Sequence, residues 1–291
     1  MRAIGDTPAD AVPSALSELH CNEQPAQQSV FRPMLDTLIP IIKQAGELSR
    51  AYFSNELEND VDFKTPVDLV TTADREVEQY LKDALAEAFP DIRFDGEESG
   101  EGAGSTEHGV FIVDPIDGTT NFFHRYPFYS VSLAYRKDDI TECGLVYCPP
   151  TDELFYAERG GGAFRNGRPI RVSQNARLQD ALMVTGFSCV RFNVKPDTMA
   201  IFDRMVYLVR DIHRDGSAAL DLCYVACGIY DLFWELNLNA WDVAAGVLIC
   251  DEAGGRVSDF GNSDQFEKNR QLVASNGAIH DIFLQETTGL C

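Results

Sequence analysis

An apolar strand that runs directly into acidic residues constrains this chain more than any other feature of its sequence. Residues 110–113 are all apolar, and Asp114 and Asp117 follow at once. The end of a buried strand is a poor place for unpaired charge, so the two carboxylates need a partner. Pro115 fixes the chain between them and Gly118 permits a sharp turn, so both carboxylates could point into one small volume.

The chemistry of this turn favours a metal ion. The two carboxylates and the carbonyl oxygen of Ile116 supply three hard oxygen ligands, which suit Mg2+. A helix beginning at Thr119 would aim backbone N–H groups at a phosphate. The alternative is an Asx-type turn that closes the strand, and it accounts for Asp117 and Gly118 but gives no reason for Asp114.

Two further acidic groups lie elsewhere in the chain. Residues 95–99 contain Glu97 and Glu98, and Asp242 follows Trp241 at a predicted helix start. Taken singly, the two glutamates are more typical of a solvated loop and Asp242 of a helix N-cap. Only the combination of these groups with the central turn indicates a shared site.

The first half of the chain predicts two helices followed by a sheet. Apolar residues recur at helical spacing from Phe31, although Pro40 should kink this helix or mark an early turn. A second helix follows Thr71, which forms a capping arrangement with Asp74, and its buried stripe runs to Ala88. Strands are then predicted at 110–113, 130–135, 144–147 and 154–157, with a glycine turn at 160–162 and a hairpin at 166–167.

Helices and strands alternate in the second half, which implies stacked layers of sheet and helix. The predicted helices span 199–209, 218–227 and 242–253, and the predicted strands span 229–234, 256–258 and 272–275. We expect residues 1–30 to form a flexible N-terminal extension. One domain then covers 31–291, with a metal-binding part at about 31–180 and a C-terminal part at about 181–291.

The composition excludes several classes of function. The net charge is −22, from 24 basic and 46 acidic residues, so nucleic-acid binding is not expected. The eight cysteines form no CxxC pair and are interpreted as mostly buried free thiols, which favours the reducing cytoplasm. The sequence contains neither a signal peptide pattern nor an 18-residue apolar segment, so no membrane association is expected. The five histidines lack zinc-site spacing.

Taken together, these segments resemble the inositol monophosphatase family of Mg2+-dependent, lithium-sensitive phosphatases, in particular its bacterial inositol-1-monophosphatases. The resemblance covers the chain from about Phe31 to the C-terminus. The matching segments, in order, are 68–74, 96–99, 114–122, 216–219, Glu235, 241–246 and 252–255. The family fold implied is a layered α/β fold, the five-layer α/β/α/β/α sandwich of the sugar phosphatases, and family members are commonly homodimers.

The resemblance also implies a metal-ligand set. Glu97, Asp114 and the carbonyl oxygen of Ile116 would hold one Mg2+, and Asp114, Asp117 and Asp242 would hold a second, with Asp114 bridging the two. A third, weaker metal near Glu97 is proposed in the family, so two or three Mg2+ ions are expected.

Catalytic and substrate roles are implied in the same way. Thr119, paired with Asp74, and Glu97 would orient and deprotonate the attacking water, with no phosphoenzyme intermediate. The implied substrate-binding residues are Asp117, Gly118, Thr119, Ala218, Glu235 and Asp242.

The expected substrate is a small phosphate monoester, and myo-inositol monophosphate is favoured. Relatives of this fold also act on fructose 1,6-bisphosphate, 3′-phosphoadenosine nucleotides, histidinol phosphate and NADP, and these remain alternatives. A different class of function is a regulatory protein that keeps the fold and binds a partner. The intact set of carboxylates argues against a loss of catalysis.

Overall fold

A computed structural model of the chain describes residues 32–55, 58–65 and 68–290. The segment predicted to be a flexible extension, residues 1–30, lies outside the described residues. The helices are α1 (Arg32–Phe53), α2 (Thr72–Ala88), α3 (Thr119–Phe123), α4 (Ser188–Arg191), α5 (Met199–Met205), α6 (Ala218–Ala226), α7 (Ala240–Glu252), α8 (Phe266–Asn269) and α9 (His280–Glu286).

The strands follow the same chain order. They are β1 (Val61–Thr65), β2 (Asp68–Thr71), β3 (Arg93–Gly96), β4 (Gly100–Glu101), β5 (Val110–Asp117), β6 (Ser130–Lys137), β7 (Ile140–Cys148), β8 (Glu153–Glu158), β9 (Gly162–Arg165), β10 (Arg168–Pro169), β11 (Leu182–Thr185), β12 (Asp211–His213), β13 (Leu232–Leu236), β14 (Arg256–Ser258) and β15 (Gln271–Ser275).

Two large sheets organise the molecule. The eight-stranded sheet has the order β10-β9-β8-β7-β6-β5-β3-β4, and the five-stranded sheet has the order β12-β11-β13-β15-β14. In the first sheet only β3 and β5 run parallel, and in the second β11 is parallel to both β12 and β13. A separate hairpin, β1–β2, precedes α2.

Helices cover both faces of each sheet, which gives five layers. The apolar faces of α1 and α2 pack on one face of the eight-stranded sheet. The apolar helices α6 and α7 fill the space between the two sheets. Helices α5 and α9 pack on the outer face of the five-stranded sheet. The predicted layered α/β fold is therefore confirmed.

The first two helices follow the sequence pattern closely. Helix α1 runs continuously through Pro40, so an early turn there was wrong. The capping box predicted at the start of α2 is present: the Thr71 amide and hydroxyl both donate to Asp74 Oδ2, at 2.8 and 2.5 Å. Ala88 is exposed rather than part of the buried stripe, because α2 ends there at the protein surface.

Several boundaries in the second half differ from the prediction. The strand predicted from Ile229 begins at Leu232, because the Ile229 and Tyr230 amides donate to the Tyr224 carbonyl oxygen and close α6. Helix α7 begins two residues before Asp242, since Asn239 is its N-cap and Asp242 is the third residue of a capping box. Asp242 is therefore not an N-cap.

Two other predictions can be compared with the described residues. The hairpin at residues 166–167 is confirmed: Arg165 pairs with Arg168 across the turn, and Asn166 and Gly167 have φ values of 49° and 76°. The six described cysteines are free, and five of them are buried. Within the described chain, every helix is too short or too polar to cross a bilayer.

Candidate active site

The site lies where β5, an inner strand between β6 and β3, ends in the eight-stranded sheet. Every residue of β5 is buried, and its pairing with β6 becomes irregular between Asp114 and Asp117. At Gly118 the backbone turns with φ 97°, and an added Cβ would lie 3.1 Å from the Gly216 carbonyl oxygen. The sharp turn predicted from the sequence is present, and glycine permits both its conformation and its close approach to Gly216.

Three carboxylates meet at this turn. Single carboxylate oxygens of Asp114, Asp117 and Asp242 all lie within 4.8 Å of one another. Asp114 is 2% exposed and Asp117 is 8% exposed. Helix α7 delivers Asp242, whose Oδ2 accepts the Asn239 amide at 2.6 Å as part of the capping box.

Burial and mutual repulsion raise the pKa values of these groups. Burial raises the pKa of Asp114 well above its usual value, and the negative charges of Glu97, Asp117 and Asp242 raise it further. Burial likewise raises the pKa of Asp242, again with the nearby carboxylates contributing. A bound divalent cation would remove this penalty, and an all-oxygen donor set fits a hard cation such as Mg2+.

Glu97 reaches the cluster from the strand beside β5. Its amide donates to the Val113 carbonyl oxygen at 3.1 Å, which extends the parallel pairing of β3 and β5 by one residue. The side chains of Glu97 and Asp114 share a hydrogen bond. The acidic segment at 95–99 is therefore next to the central turn, as its combination with that turn predicted.

Asp117 connects the cluster to the second half of the molecule. Its Oδ2 accepts the Ser217 hydroxyl at 2.6 Å and the Ala219 amide at 2.8 Å, both at the start of α6. These hydrogen bonds favour the ionised form, but burial outweighs them and raises the pKa of Asp117 to about 6.

Glu235 lies on β13 at the opposite wall. It is 7% exposed, and its Oε1 accepts the Ser188 amide at 3.2 Å. An added Cβ at Gly186 would lie 2.0 Å from the Glu235 carboxylate carbon, so only glycine leaves room for this side chain. Burial raises the pKa of Glu235 to about 7.

The geometry at Thr119 differs from the predicted pairing with Asp74. The Thr119 hydroxyl donates to the Ile116 carbonyl oxygen at 3.1 Å, and it has only one proton to donate. Asp74 Oδ2 instead accepts the two hydrogen bonds from Thr71. The Ile116 carbonyl oxygen, a predicted metal ligand, thus faces the hydroxyl of a predicted catalytic residue.

One cavity of about 190 Å3 joins these groups. All predicted site residues except Asp74 line it: Glu97, Asp114, Ile116, Asp117, Gly118, Thr119, Ala218, Glu235 and Asp242. Asp74 is fully buried in the capping box at the start of α2.

Sequence reasoning missed several lining residues. Arg191 and Arg214 bring positive charge to the cavity, and Gly186 makes room for Glu235. No local motif marks either arginine, since both are exposed side chains whose position depends on how the two halves of the fold meet.

Comparisons with known proteins identify the family of this chain. The model of the inositol monophosphatase family matches residues 31–289. The chain belongs to this family. It is similar to "Inositol monophosphatase 3" of Solanum lycopersicum, with 39% identity over 265 residues that cover 89% of this chain and 98% of the relative.

A second relative of similar likeness carries a double name. "Fructose-1,6-bisphosphatase/inositol-1-monophosphatase" of Thermotoga maritima is 39% identical over 251 residues, which cover 85% of this chain and 93% of the relative. Among solved structures, the extragenic suppressor protein suhB of Bartonella henselae has a TM-score of 0.83 and 37% identity, covering 88% of this chain and 99% of that one.

The family assignment gives the class of reaction. The chain is a phosphoric monoester hydrolase, because it belongs to the inositol monophosphatase family and resembles relatives named for that activity along nearly their whole length. Asp114, Asp117 and Asp242 form an acidic cluster that could hold a metal ion.

Proposed function

We propose that the protein hydrolyses myo-inositol monophosphate to inositol and phosphate in a Mg2+-dependent reaction. The observation that carries the proposal is the cluster of buried Asp114, buried Asp117 and half-buried Asp242, one carboxylate oxygen of each lying within 4.8 Å of the others in a cavity at the end of β5. Such a cluster is costly without a cation and is suited to hold one.

The proposed metal ligands are those implied by the family resemblance. Glu97, Asp114 and the Ile116 carbonyl oxygen would hold one ion, and Asp114, Asp117 and Asp242 a second, with a third near Glu97 left open. Divalent ions bound there would lower the pKa of water and neutralise charge on the phosphate oxygens.

Residues of the chain would then orient the attacking water and the phosphate. The Thr119 hydroxyl would orient the attacking water, and Glu97 would accept its proton. The implied role of Asp74 would require the Thr119 hydroxyl to turn away from the Ile116 carbonyl oxygen and pass its own proton to the Asp74 carboxylate as it takes one from the water. The amides of Gly118 and Thr119 would bind the phosphate oxygens. In-line attack displaces the inositol oxygen, which takes a proton from solvent, and no covalent enzyme intermediate forms.

The opposite wall suits a polyol. Glu235 offers a buried carboxylate to sugar hydroxyls, and the Ala218 backbone, Asp117 and Asp242 lie on the same cavity. The cavity of about 190 Å3 is smaller than the ~300–1,000 Å3 typical of drug-sized ligands. A sugar-like monophosphate is therefore the substrate class we favour for this cavity.

A second candidate substrate is a sugar bisphosphate. Arg191 and Arg214 line the same cavity and are exposed, and a guanidinium is well suited to bind a second phosphate. The relative from Thermotoga maritima carries a name with both activities. We therefore include fructose 1,6-bisphosphate as the competing substrate.

The experiment measures phosphate release from four esters, with Mg2+ and with EDTA. The esters are myo-inositol 1-phosphate, fructose 1,6-bisphosphate, 3′-phosphoadenosine 5′-phosphate and NADP. Activity on the inositol ester that requires Mg2+ and is lost in Asp114→Asn supports the proposal. Preference for another ester would refute myo-inositol monophosphate as the substrate. A protein that hydrolyses none of the four esters would favour a partner-binding regulatory role. We also propose lithium sensitivity, a homodimer and a cytoplasmic location.

A further inference from the structure

Glu78 is a buried acidic residue that none of the roles above uses. It lies on α2, four residues after Asp74, so both side chains are on the same side of the helix. Its relative exposure is 4%. A carboxylate at this depth needs strong hydrogen-bond donors, because an unpaired buried charge is very costly.

The donors come from the segment that carries Glu97. The Glu98 amide donates to Glu78 Oε2 and the Ser99 amide donates to Glu78 Oε1, both at 2.8 Å. Each carboxylate oxygen thus receives one backbone N–H, an arrangement stronger than a pair of neutral hydrogen bonds. The backbone immediately after Glu97 is therefore held by α2.

Gly96 allows this close approach. An added Cβ at Gly96 would lie 2.4 Å from Glu78 Oε2 and 2.5 Å from its carboxylate carbon. The φ of Gly96 is not positive, so the requirement for glycine here is space rather than backbone conformation. The residue before Glu97 is thus shaped to fit the Glu78 carboxylate.

The other side of the same segment is held by β5. The Glu97 amide donates to the Val113 carbonyl oxygen at 3.1 Å, one residue before Asp114. Glu97 is therefore fixed between two supports, the strand that carries Asp114 and the helix that carries Glu78. Neither the Val113 carbonyl oxygen nor the Glu78 carboxylate is a proposed metal ligand, yet both restrict where the Glu97 carboxylate can lie.

We propose that Glu78 is a positioning residue that holds the Glu97 loop in place for metal binding. The inference rests on the proposed function only in taking Glu97 to be a metal ligand. In the Gly-Glu-Glu-Ser segment, Gly96 leaves room for the Glu78 carboxylate, Glu97 binds the metal ion, and the Glu98 and Ser99 amides hold the segment against α2.

The test compares Glu78→Gln with a matched control. A glutamine offers one acceptor oxygen and turns its NH2 group against the second backbone N–H. Asp231→Asn is the control, because Asp231 is also a buried carboxylate, 8% exposed, that accepts a backbone amide, from Leu182 at 2.8 Å. It lies outside the cavity lining, so it reports the effect of stability loss alone.

Divalent-ion affinity is measured without substrate, by titration with Mn2+ in electron paramagnetic resonance. We expect Glu78→Gln to weaken the affinity about tenfold, as removal of an outer-shell partner does. The Mn2+ affinity of Asp231→Asn should stay within about twofold of that of the wild type. Its Tm should fall about as much as the Tm of Glu78→Gln. Equal Mn2+ affinity in Glu78→Gln and the wild type would overturn the proposal.

Hydrogen exchange tests the same contacts without a variant, in case Glu78→Gln does not fold. In the wild type, the Glu98 and Ser99 amides should exchange at least about tenfold more slowly than the amide of exposed Gly104. Exchange as fast as at Gly104 would overturn the proposal. A protein that binds Mn2+ but hydrolyses no ester would refute the proposed function alone, whereas an active enzyme with unchanged affinity in Glu78→Gln would refute this inference alone.

Discussion

Replacing Asp114 by asparagine should stabilise the metal-free protein while abolishing its metal-dependent activity. With an effective dielectric constant of about 20, two carboxylates at 4.8 Å, the upper limit of the oxygen–oxygen distances in the cluster, repel by ~3.5 kcal/mol. Asp114 takes part in two such pairs, with Asp117 and Asp242. Proton uptake by the wild-type cluster relieves part of this repulsion, so the net gain is smaller than the sum.

We expect a gain of about 2 kcal/mol, which corresponds to a rise in Tm of about 4–8 °C for a domain of this size. The asparagine oxygen can still accept the Ile116 amide, which donates to Asp114 at 3.0 Å in the wild type, so the turn should be retained. The assay is differential scanning calorimetry in EDTA at pH 8, with Asp83→Asn on the exposed face of α2 as the control.

The pH dependence of the free energy of unfolding independently tests whether Asp114→Asn stabilises the metal-free protein. The folded protein holds the pKa of Asp114 above the usual 3.8, so it binds more protons than the unfolded chain. Its metal-free stability therefore falls as pH rises from about 4 through the raised pKa values. The advantage of Asp114→Asn should shrink at pH 5. A variant no more stable than the wild type at pH 8, or equally favoured at both pH values, would refute the electrostatic reasoning.

Three further predictions concern the substrate end of the cavity. Gly186→Ala should displace Glu235 and raise KM for the inositol ester about tenfold, the cost of a hydrogen bond to a charged group, with the Mg2+ half-saturation unchanged; a change in Mg2+ dependence alone would contradict this. Burial raises the pKa of Glu235 to about 7, so KM for the inositol ester should fall as pH rises through that value. Glu235→Gln should flatten this pH profile of KM. A Glu235→Gln profile identical to that of the wild type would count against a contact between Glu235 and the substrate. Arg214→Gln should raise KM for fructose 1,6-bisphosphate several-fold and leave KM for the inositol ester within about twofold, on the scale of one exposed charge contact; an equal effect on both esters would exclude selective binding of a second phosphate.

The sequence was most informative where the residues that form a feature are neighbours in the chain. A buried strand ending in Asp114 and Asp117, with Gly118 after it, could be recognised because the carboxylates, the turn and the strand are contiguous. The capping box at Thr71 and Asp74 and the turn at Asn166 were predicted for the same reason.

Features that depend on contacts between distant segments could not be predicted in this way. The start of α7 depends on the Asn239 cap, and the delayed start of β13 depends on hydrogen bonds that close α6. Arg191 and Arg214 belong to the cavity only because the C-terminal half folds over the turn after β5. The direction of the Thr119 hydroxyl, toward Ile116 rather than Asp74, is likewise a property of the assembled site.

The most direct test of the metal site is an anomalous difference map from crystals of the protein soaked in Mn2+. We expect one peak between Asp114, Asp117 and Asp242 and a second bounded by Glu97, Asp114 and the Ile116 carbonyl oxygen. Both peaks should be absent from Asp114→Asn crystals treated in the same way. A wild-type map with no peak at the carboxylate cluster, or with Mn2+ bound only elsewhere, would show that these carboxylates do not form the metal site.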